Sequence, residues 1–156
     1  MIKIIYFFIL TFFLSNISFA QEKNIQVIDG DTIHIGKLKY RFFGIDAPET
    51  KQICEKDNIK VQCGVIAKNV LKNKIADKIP ECVVKDKDRY QRLVAECFIG
   101  KESLSRFMVR EGYAVAYSQY SKDFIEDEKY AKENKLGIWS MNFQIPSEYR
   151  KSLRNK

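Results

Sequence analysis

The chain has 156 residues, 46% hydrophobic and 30% charged, and its 27 Lys and Arg against 20 Asp and Glu leave a net charge of +7. One domain fits that length, 13% aromatic residues exclude a disordered chain, and three Pro and seven Gly exclude a collagenous or low-complexity one. A lone histidine, His34, excludes chemistry that needs two imidazoles, and four cysteines without a close Cys-x-x-Cys pair argue against structural zinc, leaving carboxylates, Arg, Lys, Tyr or a hard cation to act.

Residues 1–20 read as a processing signal. Lys3 supplies the positive start, residues 4–14 form an uncharged apolar run, and Ser18 and Ala20 offer small side chains at the −3 and −1 positions of a cleavage site. The run is about half the ~20 apolar residues a spanning helix needs, so no stable membrane association is expected after cleavage before Gln21. The product would be a small basic domain, secreted or periplasmic.

Asn24 to Ile28 reads as a strand ending in the turn Asp29-Gly30-Asp31. Residues 32–35 alternate, Gly36-Lys37 turns, and residues 38–45 run back with Tyr, two Phe and Ile, a strand meander. Pro48 breaks it, because proline cannot donate to a ladder. The spacing predicts a helix over 65–78, with Ile66 and Val70, then Ala67, Leu71 and Ile75, on one face. After Pro80, residues 82–99 fold back as a hairpin around 87–90. Leu104, Phe107 and Met108 mark a second helix capped by Gly112, residues 113–117 a last short strand, and Ser121 the start of a third helix ending near Gly137. The basic stretch 148–156 reads as a loosely held tail.

Cys54, Cys63, Cys82 and Cys97 allow three pairings. Cys82 and Cys97 stand symmetrically about the hairpin centre, where cross-strand partners face each other, which leaves Cys54 with Cys63. Each bridge is worth about 3 kcal/mol, chiefly through the unfolded chain. The fold class is α+β: five strands that a closed barrel would accommodate without long exposed edges, three helices and two disulfides, in one domain over 21–147.

Phosphodiester hydrolysis needs a water aimed in line at phosphorus, a group to take its proton, and positive charge against the five-coordinate state. Arginine forks and a divalent ion held by oxygen ligands suit the charge work. Asp31, Asp46, Glu49, Arg41 and Arg92 form a compact set for these parts. Each also has a plain structural role open to it: a hairpin turn for Asp29-Gly30-Asp31, a turn support for Asp46, a first-turn helix acid for Glu49. Arg41 is the most telling, because a charge in a core-rich strand costs several kcal/mol unless anions meet it. Strict alternation puts Arg41 and Asp46 on opposite faces, so a shared site needs a bend, for which Gly44 is the candidate. Asp29 and Asp31 share parity, so spacing alone does not choose between them. The oxygen-only donor set suits Ca2+ or Mg2+ at weak affinity, and net positive charge draws in a polyanion. His34 and Trp139 read as a surface and a core residue.

VIDGDT at 27–32, RFFGIDAPET at 41–50, DRYQR at 88–92, and GYAVAYSQYS followed by LGIWS resemble the staphylococcal nuclease (thermonuclease) family in order and spacing from Val27 to Phe143. The likeness is greatest to its exported, cysteine-containing branch. The resemblance implies a five-stranded OB-fold barrel with three helices and a monomeric nuclease cutting DNA and RNA to 3′-phosphate ends. By motif position, Asp31, Asp46 and the Ala47 carbonyl would bind Ca2+, Glu49 would activate or orient the water, Arg41 and Arg92 would clamp the phosphate, and Tyr90 and Tyr117 would meet the nucleotide. Gln91 departs from the family's glycine, and Ala47 stands where some members carry threonine. Two other readings stay open: a non-catalytic OB-fold module binding single-stranded nucleic acid, with Arg92 misplaced by Gln91, and an envelope or host-interaction protein using the 54–63 loop.

Overall fold

A computed structural model describes residues 24–155 of the chain, and the expected signal segment lies outside them. Three antiparallel strands open the fold: β1 (Ile25–Asp29), β2 (Thr32–Ile35) and β3 (Leu38–Phe42). A turn at Phe43-Gly44 ends β3, and the two-residue β4 (Ile45–Asp46) leaves the sheet to pair with β10 (Val115–Ala116). Gly44 makes the turn because its φ of +73° suits glycine, and a Cβ there would sit 2.7 Å from the Phe124 ring.

The loop after β4 leads into a small hairpin, β5 (Cys54–Lys56) with β6 (Ile59–Val61), tied to the next helix by the Cys54–Cys63 disulfide. Helix α1 (Cys63–Ile75) buries Ala67, Leu71 and Ile75, the four-residue stripe visible in its sequence, while Ile66 and Val70 are half-buried beside it. Strands β7 (Glu81–Lys87) and β8 (Leu93–Ile99) form the expected hairpin, and Cys82 and Cys97 are register partners joined by a disulfide, with Cα atoms 4.0 Å apart. Strand β8 runs parallel to β3, so the sheet is mixed, in the order β1-β2-β3-β8-β7, with β9 (Glu102–Ser103) beside β8. Helix α2 (Leu104–Arg110) is capped by Ser103, whose Oγ accepts the Arg106 amide at 3.2 Å. Helix α3 (Ile125–Glu133) and a 3-10 turn at Gly137–Ser140 follow. Ile33, Phe42, Ile45, Leu71, Leu104, Met108 and Phe124 fill the core between the sheet and the helices.

Two expectations need correction. Among the described residues no ladder joins β7 to β1, so a closed five-stranded barrel is not formed by hydrogen bonds; the turn at Gly44 breaks the third strand and gives its end to β10. The described residues form four α-helices rather than three. Helix α4 (Pro146–Arg154) replaces the expected loose tail and crosses the boundary drawn at residue 148. Pro146 starts it, since a fixed φ and a missing N–H suit the first helical position.

Candidate nucleic-acid-cleaving site

The turn between β1 and β2 presents Asp31. Asp29 Oδ1 accepts the Asp31 amide at 3.1 Å, which braces the turn, while Asp31 Oδ2 accepts the Ala47 amide at 2.7 Å from the loop after β4. The two acids that spacing does not tell apart make different contacts: Asp29 braces the turn, and Asp31 faces the loop. Burial pushes the Asp29 carboxyl above its ordinary range despite the nearby Arg41 and Arg92 charges.

Arg41 lies between the acids. Its Nη1 meets Asp31 Oδ2, and its Nη2 donates to Asp46 Oδ1 at 2.8 Å. The bend at Gly44 removes the parity conflict between Arg41 and Asp46. Both carboxylates are nearly sealed, at 4% and 1% exposure for Asp31 and Asp46, so each carries its charge out of water and needs the guanidinium. Burial lowers the Arg41 pKa, and the charges of Asp46 and Asp29 oppose that fall.

Arg92 enters from the β7–β8 turn. Asp88 organises that turn: Oδ1 accepts the amides of Tyr90 and Arg92, both at 2.9 Å, and Oδ2 accepts Arg92 Nε at 2.7 Å. Burial pushes the Asp88 carboxyl up, but the Arg92 and Tyr90 hydrogen bonds with the Arg92 charge outweigh it and hold the pKa low. Arg92 Nη1 then reaches the Thr32 hydroxyl at 3.4 Å, and that hydroxyl donates to Asp31 Oδ1 at 3.1 Å. Gln91 adopts the left-handed conformation that a glycine would favour, with φ of +64°. With Gln91 in that conformation the turn keeps its Asp88 hydrogen bonds, and Arg92 reaches the Thr32 hydroxyl.

Glu49 sits on the loop between β4 and β5, with about a third of its side chain exposed. The loop is seated on Gly64 at the start of α1, where any Cβ would fall inside the Glu49 carbonyl. It is also held by the fully buried Gln52, whose amide donates to the Glu49 carbonyl at 2.7 Å and whose Nε2 donates to the Gln144 carbonyl at 2.6 Å. From α4, Arg150 closes the set: Nη1 donates to Asp46 Oδ1 and Glu49 Oε1, and Nη2 to Asp46 Oδ2, each at 2.9 Å. Burial would lower the Arg150 pKa, yet the hydrogen bonds and charges of Asp46 and Glu49 raise it.

All five charged residues expected from the sequence therefore join one chain of contacts, running Arg92, Thr32, Asp31, Arg41, Asp46, Arg150 and Glu49. Sequence reasoning missed Thr32, Gln52, Asp88 and Arg150. Thr32 and Gln52 act on residues 60 and 92 positions away, which spacing does not reveal, and Asp88 stood in the quoted 88–92 motif without a role. Arg150 had a signature, the Pro-Ser-Glu start of its helix. Tyr90 is exposed with the Arg89 and Arg92 guanidinium groups 4.9 and 5.6 Å from its ring centre, and Tyr117 packs edge-on against Tyr120 at 4.8 Å. Among the described residues no three His, Cys, Asp or Glu side chains form a ready cage for a metal. What the acids offer is an all-oxygen pair held by two guanidinium groups, Arg41 between them and Arg150 on Asp46, a donor set that fits a hard divalent ion bound weakly and does not fit zinc.

A family model described as staphylococcal nuclease homologue matches residues 39–141. An uncharacterized endonuclease of Haemophilus influenzae is 32% identical over 144 residues, covering 85% of this chain and 76% of that one. The thermonuclease of Staphylococcus hyicus is 34% identical over 139 residues, covering 81% and 80%, and an uncharacterized endonuclease of Escherichia coli is 30% identical over 131, covering 78% of each.

Proposed function

The chain belongs to the staphylococcal nuclease family and is a nuclease hydrolase, and on that premise we propose that it is an exported, Ca2+-dependent monomer cutting DNA and RNA with low sequence specificity to leave 3′-phosphate ends. The observation that carries this reading is Arg41 bridging Asp31 and Asp46 beneath the loop of Glu49, with Arg92 linked to the same acids through Thr32.

Each residue has one task. Glu49 keeps a partly exposed carboxylate whose Oε1 pairs with Arg150, and its other oxygen is the one to orient a water and take its proton as the new P–O bond forms. Arg41 and Arg92 stabilise the charge that develops on the phosphoryl oxygens, with the planar donors that match them. The bond to the 5′-oxygen then breaks, and that oxygen takes a proton from solvent. Asp31, Asp46 and the Ala47 carbonyl would hold Ca2+, which when bound supplies further positive charge to the phosphate. Tyr90 and Tyr117 offer ring faces to bases, at about 1–3 kcal/mol per stacked base.

Two disulfides and no free cysteine among the described residues support an oxidising, external location. The test is digestion of plasmid DNA and single-stranded RNA by the purified protein, with Ca2+ or with a chelator. Cleavage is expected to stop with the chelator and to fall about a hundredfold or more in Glu49→Gln. Cleavage indifferent to both would remove the mechanism.

A further inference from the structure

Arg150 is more deeply committed to the site than a bystander would be. It takes both oxygens of Asp46 and one of Glu49, in the forked geometry that suits a guanidinium. Asp46 is 1% exposed, so its lone pairs have no water to fall back on. The helix that carries Arg150 is lightly attached: of its nine residues only Pro146 is buried, and Leu153 is half exposed. What seats it is polar, namely the Arg150 ion pairs, the Tyr149 hydroxyl on the Lys51 carbonyl at 3.3 Å, and the Gln52 bond to Gln144 just before the helix.

We infer that Arg150 is a tethered competitor for the cation, so that seating of α4 and binding of a divalent ion at Asp46 oppose each other. The inference rests on the reading of Asp46 as a cation ligand. A cation and the Arg150 fork both require the Asp46 oxygens, and an ion that takes them strips the helix of its principal anchor. By linkage the opposition is reciprocal: calcium loosens α4, and a helix without Arg150 leaves the acids more available to calcium. The polar seating makes this displacement feasible, since little apolar surface is re-exposed when the helix lifts.

Two measurements on the purified protein without nucleic acid test it together. Calorimetric titration with calcium chloride is expected to show about tenfold tighter binding by Arg150→Gln than by the unaltered protein, in the range usual for coupling between sites. Hydrogen exchange of the unaltered protein is expected to show faster exchange of the α4 amides in calcium than in chelator. That second arm separates displacement of the helix from a mere change in local field, and needs no variant. Equal or weaker calcium binding by Arg150→Gln, or α4 amides unchanged or slowed by calcium, overturns the inference while leaving the cation site standing. Uptake of calcium by neither protein overturns both.

Discussion

Asp88 and Arg92 are joined three ways across four residues: the Asp88 carboxylate accepts both the Arg92 amide and its Nε, and the Asp88 amide donates to the Arg92 carbonyl at 3.0 Å. The arginine that would grip a phosphate is therefore aimed by an acid on its own turn. Asp88→Asn is expected to lower the cleavage rate about ten- to hundredfold, because a guanidinium held loosely is misplaced at the reacting centre. Kinetics on an oligonucleotide substrate would check it, and an unchanged rate would mean Thr32 alone aims Arg92.

The same acid sets a dependence on pH. Its folded-state pKa lies below the ordinary 3.8, so the stability it contributes is fully present above 3.8 and is lost as pH falls through the folded value. The Tm gap between the unaltered protein and Asp88→Asn should be constant from neutral pH down to about 4 and close below that. A gap that persisted in acid would assign the loss to side-chain shape rather than charge.

Gln91 pays for its left-handed backbone where the family uses glycine. Gln91→Gly should raise stability by up to about 1 kcal/mol, the relief of a side chain at positive φ less the entropy glycine adds to the unfolded chain. Denaturant unfolding measures it, and a loss of stability would show that the Gln91 side chain makes compensating contacts.

Gly64→Ala should destabilise by about 1–3 kcal/mol, because the new methyl group collides with the Glu49 carbonyl rather than with a flexible side chain. It should also depress cleavage beyond what lost stability explains, since the collision falls on the loop that carries Glu49. Thermal unfolding and rates at a temperature well below Tm separate the two effects.

Replacing Cys82 and Cys97 together by Ser should cost about 3 kcal/mol, as expected for a bridge closing a loop of this length. Cys97 lies in the core with Cys82 half-buried against it, and the bridge makes none of the hydrogen bonds that hold Asp31, Asp46 or Glu49, so the surviving folded protein should keep its rate. A specific loss of activity would tie the far hairpin to the delivery of Arg92.

Much of this arrangement was legible because local chemistry and fold agree. The hairpin around residues 87–90, its disulfide, the Ala67–Leu71–Ile75 face and the convergence of Arg41 with Asp46 through a bend at Gly44 all follow from period, turn residues and the cost of a buried charge. The division of labour between Asp29 and Asp31 was not legible, because it depends on the Ala47 amide, sixteen residues from Asp31. The barrel was over-read: five runs of strand-forming residues say nothing about which edges pair, and β4 turned out to pair with β10. Helix α4 was missed because its apolar content is low, and what fixes it is charge from residues a hundred positions earlier.

Alternating sign along the row that starts at Asp88 and ends at Glu49 has a consequence for anyone dissecting it. Delete one member and its neighbours are left facing like charge or nothing, so part of every measured loss is the distress of the survivors. A second deletion next door will then cost less than it would alone, and sums of individual effects will exceed the whole. Credit can be divided among these residues only by double-mutant cycles on adjacent members, with Arg41 and Asp46 the pair to begin with.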